Sequence, residues 1–207
     1  MSTAKRASRP AAIRPKRRRR TPEEARREAL VAARRLLIDS GPTAITLKAV
    51  AEEIGVTHAN IIHHFGSAAE LQSALMGSMV RDLTDALAET VTQLRLETGA
   101  PRALTDSVFD AFERGGAGRL AAWIVLSGDL KHLEPVRAAV QDLVNAIHEK
   151  LAPDGDGARH RITGAVLFIA LCAFGDAVIG GPLRDMLDRD EDSARRIVAR
   201  LLPTFLL

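Results

Sequence analysis

The sequence predicts an all-α protein in which a small three-helix unit at the amino terminus precedes a larger helical body. Three observations lead there. Ala, Leu, Arg and Glu dominate the 207 residues, Tyr is absent, and few β-branched or aromatic runs alternate with the period of two expected of strands. Thr21 with Glu24 and Ser67 with Glu70 have the spacing of capping boxes. Glycine and proline clusters divide the rest into segments of helical length. With 46% hydrophobic residues the chain can bury a core, and no internal repeat is visible.

The elements follow in order. Thr21, Pro22 and Glu24 fix the first helix start, since a proline at the first helical position gives up no hydrogen bond. Ala29, Leu30, Ala33, Leu36 and Leu37 recur at helical spacing until Ser40-Gly41-Pro42 ends the segment. A short second helix is capped by Thr46, carries Leu47, Val50, Ala51 and Ile54 on one face, and ends at Gly55. The third is capped by Thr57, turns Ile61 and Phe65 inward, and ends at Gly66. Ser67 opens a fourth with Leu71, Leu75, Met79, Leu83 and Leu87, running toward Gly99-Ala100-Pro101. Further helices are predicted at 102–114, 117–131, 135–152, 158–179 and 190–202. The breaks lie at Gly115-Gly116, Glu134-Pro135, residues 153–157 and Gly180-Gly181-Pro182.

Charge is unevenly distributed. The whole chain nets +3, yet residues 1–20 hold nine Lys and Arg and no acid. This segment reads as a disordered basic arm on an acidic body, an asymmetry that suits a polyanionic partner. An organelle transit peptide has a similar composition, but Pro10 and Pro15 interrupt the amphipathic helix it would need. The longest run free of Asp, Glu, Lys, Arg and His, residues 162–175, is shorter than the roughly 20 residues that cross a bilayer, so it is expected to be a buried helix with no membrane involved. The single Cys172 excludes an internal disulfide and suits a reducing, cytoplasmic setting.

Two short helices joined by Gly55-Val56-Thr57, sheltered by a longer one, have the pattern of a helix-turn-helix. Val50, Ile54, Val56 and Ile61 pack the junction, which frees Thr57, His58, Ala59, Asn60, His63 and His64 for a major groove. Asn bonds adenine through two hydrogen bonds, His donates to guanine or phosphate, and Ala meets a thymine methyl. The spacing of His58, His63 and His64 does not put ligands on one helix face, so no metal site is expected. No Ser-His-Asp, paired-carboxylate or metal-ligand cluster is identifiable by spacing, so no enzyme and no cofactor is expected.

The segment TLKAVAEEIGVTHANIIHHFGSAAEL, residues 46–71, resembles the DNA-binding signature of the TetR family of bacterial transcriptional regulators. The likeness extends over about residues 21–72. It implies a helix-turn-helix DNA-binding domain at 21–71, a helical ligand-binding and dimerisation domain at 72–207, a homodimer, and a small-molecule effector. Carried onto this chain, it implies that Thr46 and Lys48 meet phosphate or base. Thr57, His58, Ala59 and Asn60 would enter the groove, while His63 and His64 lie near the backbone. The chain departs from the pattern at Ile62 and His63, where the family commonly has Tyr or Trp, and at Ala68 and Ala69, where it commonly has Lys. Residues 21–70 carry five basic and seven acidic groups, so Lys16, Arg17, Arg18, Arg19 and Arg20 are expected to supply phosphate contacts that this unit lacks.

In the carboxy-terminal part, Ala165, Ile169, Cys172 and Asp176 line one side of the most apolar helix. With Ile197 and Leu201 they fall where the resemblance implies a dimer interface, and Asp176 in that setting needs a partner. Phe109, Phe112, Trp123, Leu126, Leu143, Ile147, Phe168 and Cys172 are expected to line an effector pocket, with Asp129 and His132 as nearby polar groups. The expected function is a repressor released from a palindromic operator by an apolar or aromatic effector. Two other readings are a DNA-binding architectural protein without effector and a helical small-molecule-binding protein whose helix-turn-helix is coincidental.

Overall fold

A computed structural model describes residues 21–93, 100–128, 130–151 and 157–206. Among these the chain is helical, with no strand. The helices are α1 (Pro22–Ser40), α2 (Leu47–Ile54), α3 (His58–Phe65), α4 (Ala68–Gln93), α5 (Ala100–Glu113), α6 (Ala117–Leu126), α7 (Glu134–Leu151), α8 (Ala158–Gly175), α9 (Gly181–Met186), α10 (Ser193–Leu201) and α11 (Pro203–Leu206).

The amino-terminal helices begin where capping chemistry places them. Thr21 Oγ1 accepts from the Glu24 amide at 3.2 Å while the Thr21 amide donates to the Glu24 carboxylate at 2.9 Å. Ser67 and Glu70 repeat the exchange at the start of α4. Thr46 and Thr57 each accept one amide at the starts of α2 and α3. Gly55, at φ +66°, makes the left-handed step that lets α3 turn away from α2.

Two apolar cores result. The first joins α1, α2, α3 and the opening half of α4 to α6: Ala29, Leu37, Val50, Ile61 and Leu71 pack with Leu120 and Ile124. The second gathers Leu87 of α4, Leu104, Val108 and Phe109 of α5, Ala165, Ile169 and Ala173 of α8, and Val198 of α10. The domain boundary expected at 71/72 therefore falls inside a continuous helix, and α6 from the second part completes the core of the first.

Three helix limits differ from expectation. The helix predicted at 117–131 ends at Leu126, where Ser127 and the positive-φ Gly128 stop it. The one predicted from 190 begins at Ser193, because Asp190 uses its carboxylate to bond the Asp192 amide and the Ser193 hydroxyl. The expected break at Gly180-Gly181-Pro182 does not occur. A π-helical turn at Asp176–Gly180 carries α8 into α9, and Pro182 sits in the first turn of α9, where its missing N–H is tolerated.

The helical stretch Ala158–Met186 is thus 29 residues, long and apolar enough by length and composition to cross a membrane, although its uncharged run is short. Within the single chain it is a half-buried helix, less covered than the buried helix the sequence suggested. Ala158, Ile162, Ala165, Ile169 and Ala173 pack inside the molecule, while Leu167, Leu171, Val178 and Ile179 are exposed.

Candidate nucleic-acid interface and apolar cavity

The α2–α3 corner is anchored from within. Val50 and Ile61 are fully buried, Phe65 nearly so, and Ile54 and Val56 pack partly against them. This leaves Thr57, His58, Ala59, Asn60, Ile62 and His63 exposed on α3. His64 is half-buried, and its backbone carbonyl accepts from Arg26 Nη1 at 2.6 Å. The Arg26 guanidinium also lies 4.4 Å from the centre of the Phe65 ring, so α1 grips the carboxy-terminal end of α3 in two places. Arg26 has no motif signature of its own, and the sequence alone gives it no role.

Three cations elsewhere in this unit face carboxylates. Arg34 bonds Asp82 at 2.7 Å, Arg35 lies 3.9 Å from Glu53, and Lys48 lies 3.9 Å from Glu52. Thr46 and Lys48 are both exposed at the start of α2. Lys16 to Arg20 lie outside the described residues.

Between α4, α5, α7 and α8 lies a cavity of about 340 Å³. Val80, Leu83 and Leu87 line it from α4; Leu104, Val108 and Phe112 from α5; Val140, Leu143, Val144 and Ile147 from α7. Seven residues from Ile162 to Ala170 close the α8 side, and Leu202 completes the wall. Thr163 is the one polar residue among them, and its hydroxyl donates to the His160 carbonyl at 2.8 Å.

The outer surface of α8, α9 and α10 forms an apolar strip. Leu171, Ile179, Leu183, Met186, Leu187, Ile197 and Leu201 are all exposed on it. Asp176 is nearly buried beneath and is bonded by Arg184 one helix further on. Burial nevertheless raises its carboxyl above the usual range, against the pull of Arg184. Gly180 permits this pair, since a Cβ there would strike both the carboxylate and the guanidinium. Burial also pushes the Cys172 thiol up.

Residues 29–75 match the family model described as bacterial regulatory proteins, tetR family. The fold around them matches solved members over most of its length. The amino-terminal unit thus carries the TetR-family helix-turn-helix, and the chain has the fold of solved proteins of that family. It is similar to the multidrug binding protein EbrR, solved with ethidium, at 19% identity and a TM-score of 0.61, over 86% of this chain and 98% of that one. It is also similar to FadR of Thermus thermophilus, a TetR family transcriptional repressor solved with lauroyl-CoA, at 17% identity and a TM-score of 0.59, over 88% and 95%. No curated protein matches the sequence.

Within this TetR-family fold the sequence-predicted site residues divide. Phe112, Leu143 and Ile147 line the cavity. Phe109 is buried in the core beside it, and Phe168 stacks on Phe205 at 4.6 Å, so neither ring reaches the space. Trp123 and Leu126 do not line it and are exposed on α6, whose inner face turns to the first core. The Trp123 Nε1–H donates to Gln72 Oε1 at 3.2 Å, and Gln72 Nε2 donates to the Ile45 carbonyl at 3.1 Å. Cys172 faces the groove under the outer strip instead of the cavity. His132 lies 3.6 Å from Glu70, and Asp129 is outside the described residues.

The predicted dimer residues divide too. Ile197 and Leu201 lie on the outer strip, whereas Ala165 and Ile169 turn inward and line the cavity. The lining residues that sequence reasoning missed, such as Val80, Val108, Val140 and Ile162, carry only the signal of ordinary core positions.

Proposed function

We propose that this protein is a dimeric, cytoplasmic transcriptional repressor that binds a palindromic DNA operator and is released by a small apolar effector. The observation that carries the reading is the exposed face of α3, held by a core that buries Ile61 and Phe65 and leaves Thr57, His58, Ala59 and Asn60 clear. In this reading those four residues enter the major groove, Asn60 reading adenine and Ala59 a thymine methyl. Thr46 and Lys48 meet phosphate beside the amino-terminal end of α2, where unpaired amides favour anions. His63 and His64 lie near the DNA backbone. The basic arm, Lys16 to Arg20, supplies the counterion release that the acidic headpiece lacks.

The outer strip is the proposed homodimer face. A two-fold axis there joins like surface to like surface and buries its leucines. The two α3 helices must then stand about one DNA turn apart, roughly 34–36 Å. A ligand that prefers a differently spaced conformer draws the population away from DNA. The cavity favours an effector-responsive regulator over an architectural one, and its lining suits an apolar ligand.

Selection of random duplex DNA by the full-length protein tests this reading. The expected outcome is enrichment of an inverted repeat whose half-sites are centred about one helical turn apart. Sequences without symmetry, or no enrichment, would overturn it.

A further inference from the structure

Resting on the effector reading above, we infer that the cavity takes the unbranched aliphatic chain of an amphiphile, tail first, with its polar end left at a mouth between α7 and α8. The lining decides the chemistry. Apart from Thr163 every lining residue among those described is apolar, and the Thr163 hydroxyl already donates to the His160 carbonyl. A charge or an amide carried inward would lose its water and find no partner, a cost of several kcal/mol for the amide and more for the charge. The buried part of the ligand is therefore hydrocarbon.

Shape and lining narrow it further. Among the described residues Phe112 is the one aromatic ring in the wall and no carboxylate lines it, so a flat cationic dye gains contact with a single ring and no counter-charge there. The walls extend from Val80 to Leu87 on α4 and from Ile162 to Ala170 on α8. Each stretch covers about two helical turns, roughly 10–12 Å. Aliphatic side chains over that length match a linear chain better than a compact ring system.

The mouth is set by exposure. Val140 of α7 and Thr163 and Leu167 of α8 line the cavity and are also open to solvent. One turn before Thr163, Arg159 donates to Asn145 Oδ1 across the two helices at 2.8 Å, which makes this rim polar. A hydroxyl or other small head group emerging there stays hydrated.

The test is isothermal titration of the full-length protein with the n-alkanols from hexanol to dodecanol, and with ethidium as the aromatic cation. Each added methylene should tighten binding about fourfold, from about 0.8 kcal/mol per buried CH₂, until the cavity is filled and affinity levels off. Ethidium should bind more weakly than dodecanol. Ala170→Leu, which fills part of the cavity, should move the levelling point to a shorter alkanol; should this variant not fold, the chain-length series on the unaltered protein decides alone. Affinity that is flat with chain length, or ethidium binding tighter than dodecanol, would overturn the tail-first inference and leave the effector reading standing. No saturable binding of any probe would overturn both.

Discussion

Asn60 and Ile61 are neighbours in sequence and opposites in role. Ile61 is fully buried and holds α3 to the core, while Asn60 is exposed on the outer face, its backbone amide donating to the Thr57 hydroxyl at 3.3 Å. Replacing Asn60 by Ala therefore leaves the fold intact and removes one proposed base interaction. It should relax the base preference at one operator position per half-site by about 1–3 kcal/mol, measured by competition among single-base operator variants. An equal drop in affinity for every DNA sequence would instead place Asn60 outside base reading. The same contrast explains why this surface is legible in the sequence. Caps, a glycine turn and apolar residues spaced i, i+4 leave one inward solution, and the outer residues follow by exclusion. Arg26 is not legible, because its two partners, the His64 carbonyl and the Phe65 ring, are distant in sequence.

At the scale of elements, the α8–α9 junction shows where sequence reasoning reaches its limit. Residues 162–175 are uncharged all round, so periodicity does not distinguish the face that packs on α5 from the face left outside. The expectation that Ala165 and Ile169 face outward fails for that reason. Nor do Gly180-Gly181-Pro182 reveal, as letters, that a π turn absorbs them. The packing gives Gly180 a definite task, since Asp176 and Arg184 meet directly over it. Gly180→Ala should destabilise the protein by about 1–3 kcal/mol, read as a lower urea midpoint. The start of α10 provides a second prediction. The Arg196 hydrogen bond holds the Asp190 carboxyl down to about 2, and Arg102 holds Asp192 below its usual value. A depressed carboxyl contributes its stability above the ordinary Asp range near 4, and loses it as pH falls through the depressed value. Asp190→Asn should thus lower the melting temperature at neutral pH, and the gap from the unaltered protein should close as pH falls from about 4 toward about 2. Asp176 has the opposite sign: its raised value favours the fold below the ordinary Asp range, and that contribution disappears as pH rises through it.

At the scale of the whole molecule, the proposed assembly and the charge asymmetry can be tested separately. Met186 is 80% exposed in the apolar strip, so Met186→Glu should weaken self-association more than tenfold, through about 2 kcal/mol of forfeited burial plus the cost of a charge. Light scattering after gel filtration would then show a monomer in place of the proposed dimer. Deleting residues 1–20 should weaken binding to all DNA and reduce the steepness of its salt dependence by about 0.9 for each phosphate that the arm had neutralised. An unchanged salt slope would show that the arm takes no part. The two cores carry a different consequence. Leu120 and Ile124 of α6 belong to the same packed cluster as α1, α2 and α3, and Gln72 bridges Trp123 to the Ile45 carbonyl. The DNA-reading unit is consequently not a cassette. A chimaera cut at residue 71, giving this headpiece to another regulator, would bare the apolar surface that α6 covers here. Exchanging operator specificity between such proteins requires either moving α6 with the headpiece or confining the changes to the outer residues of α3.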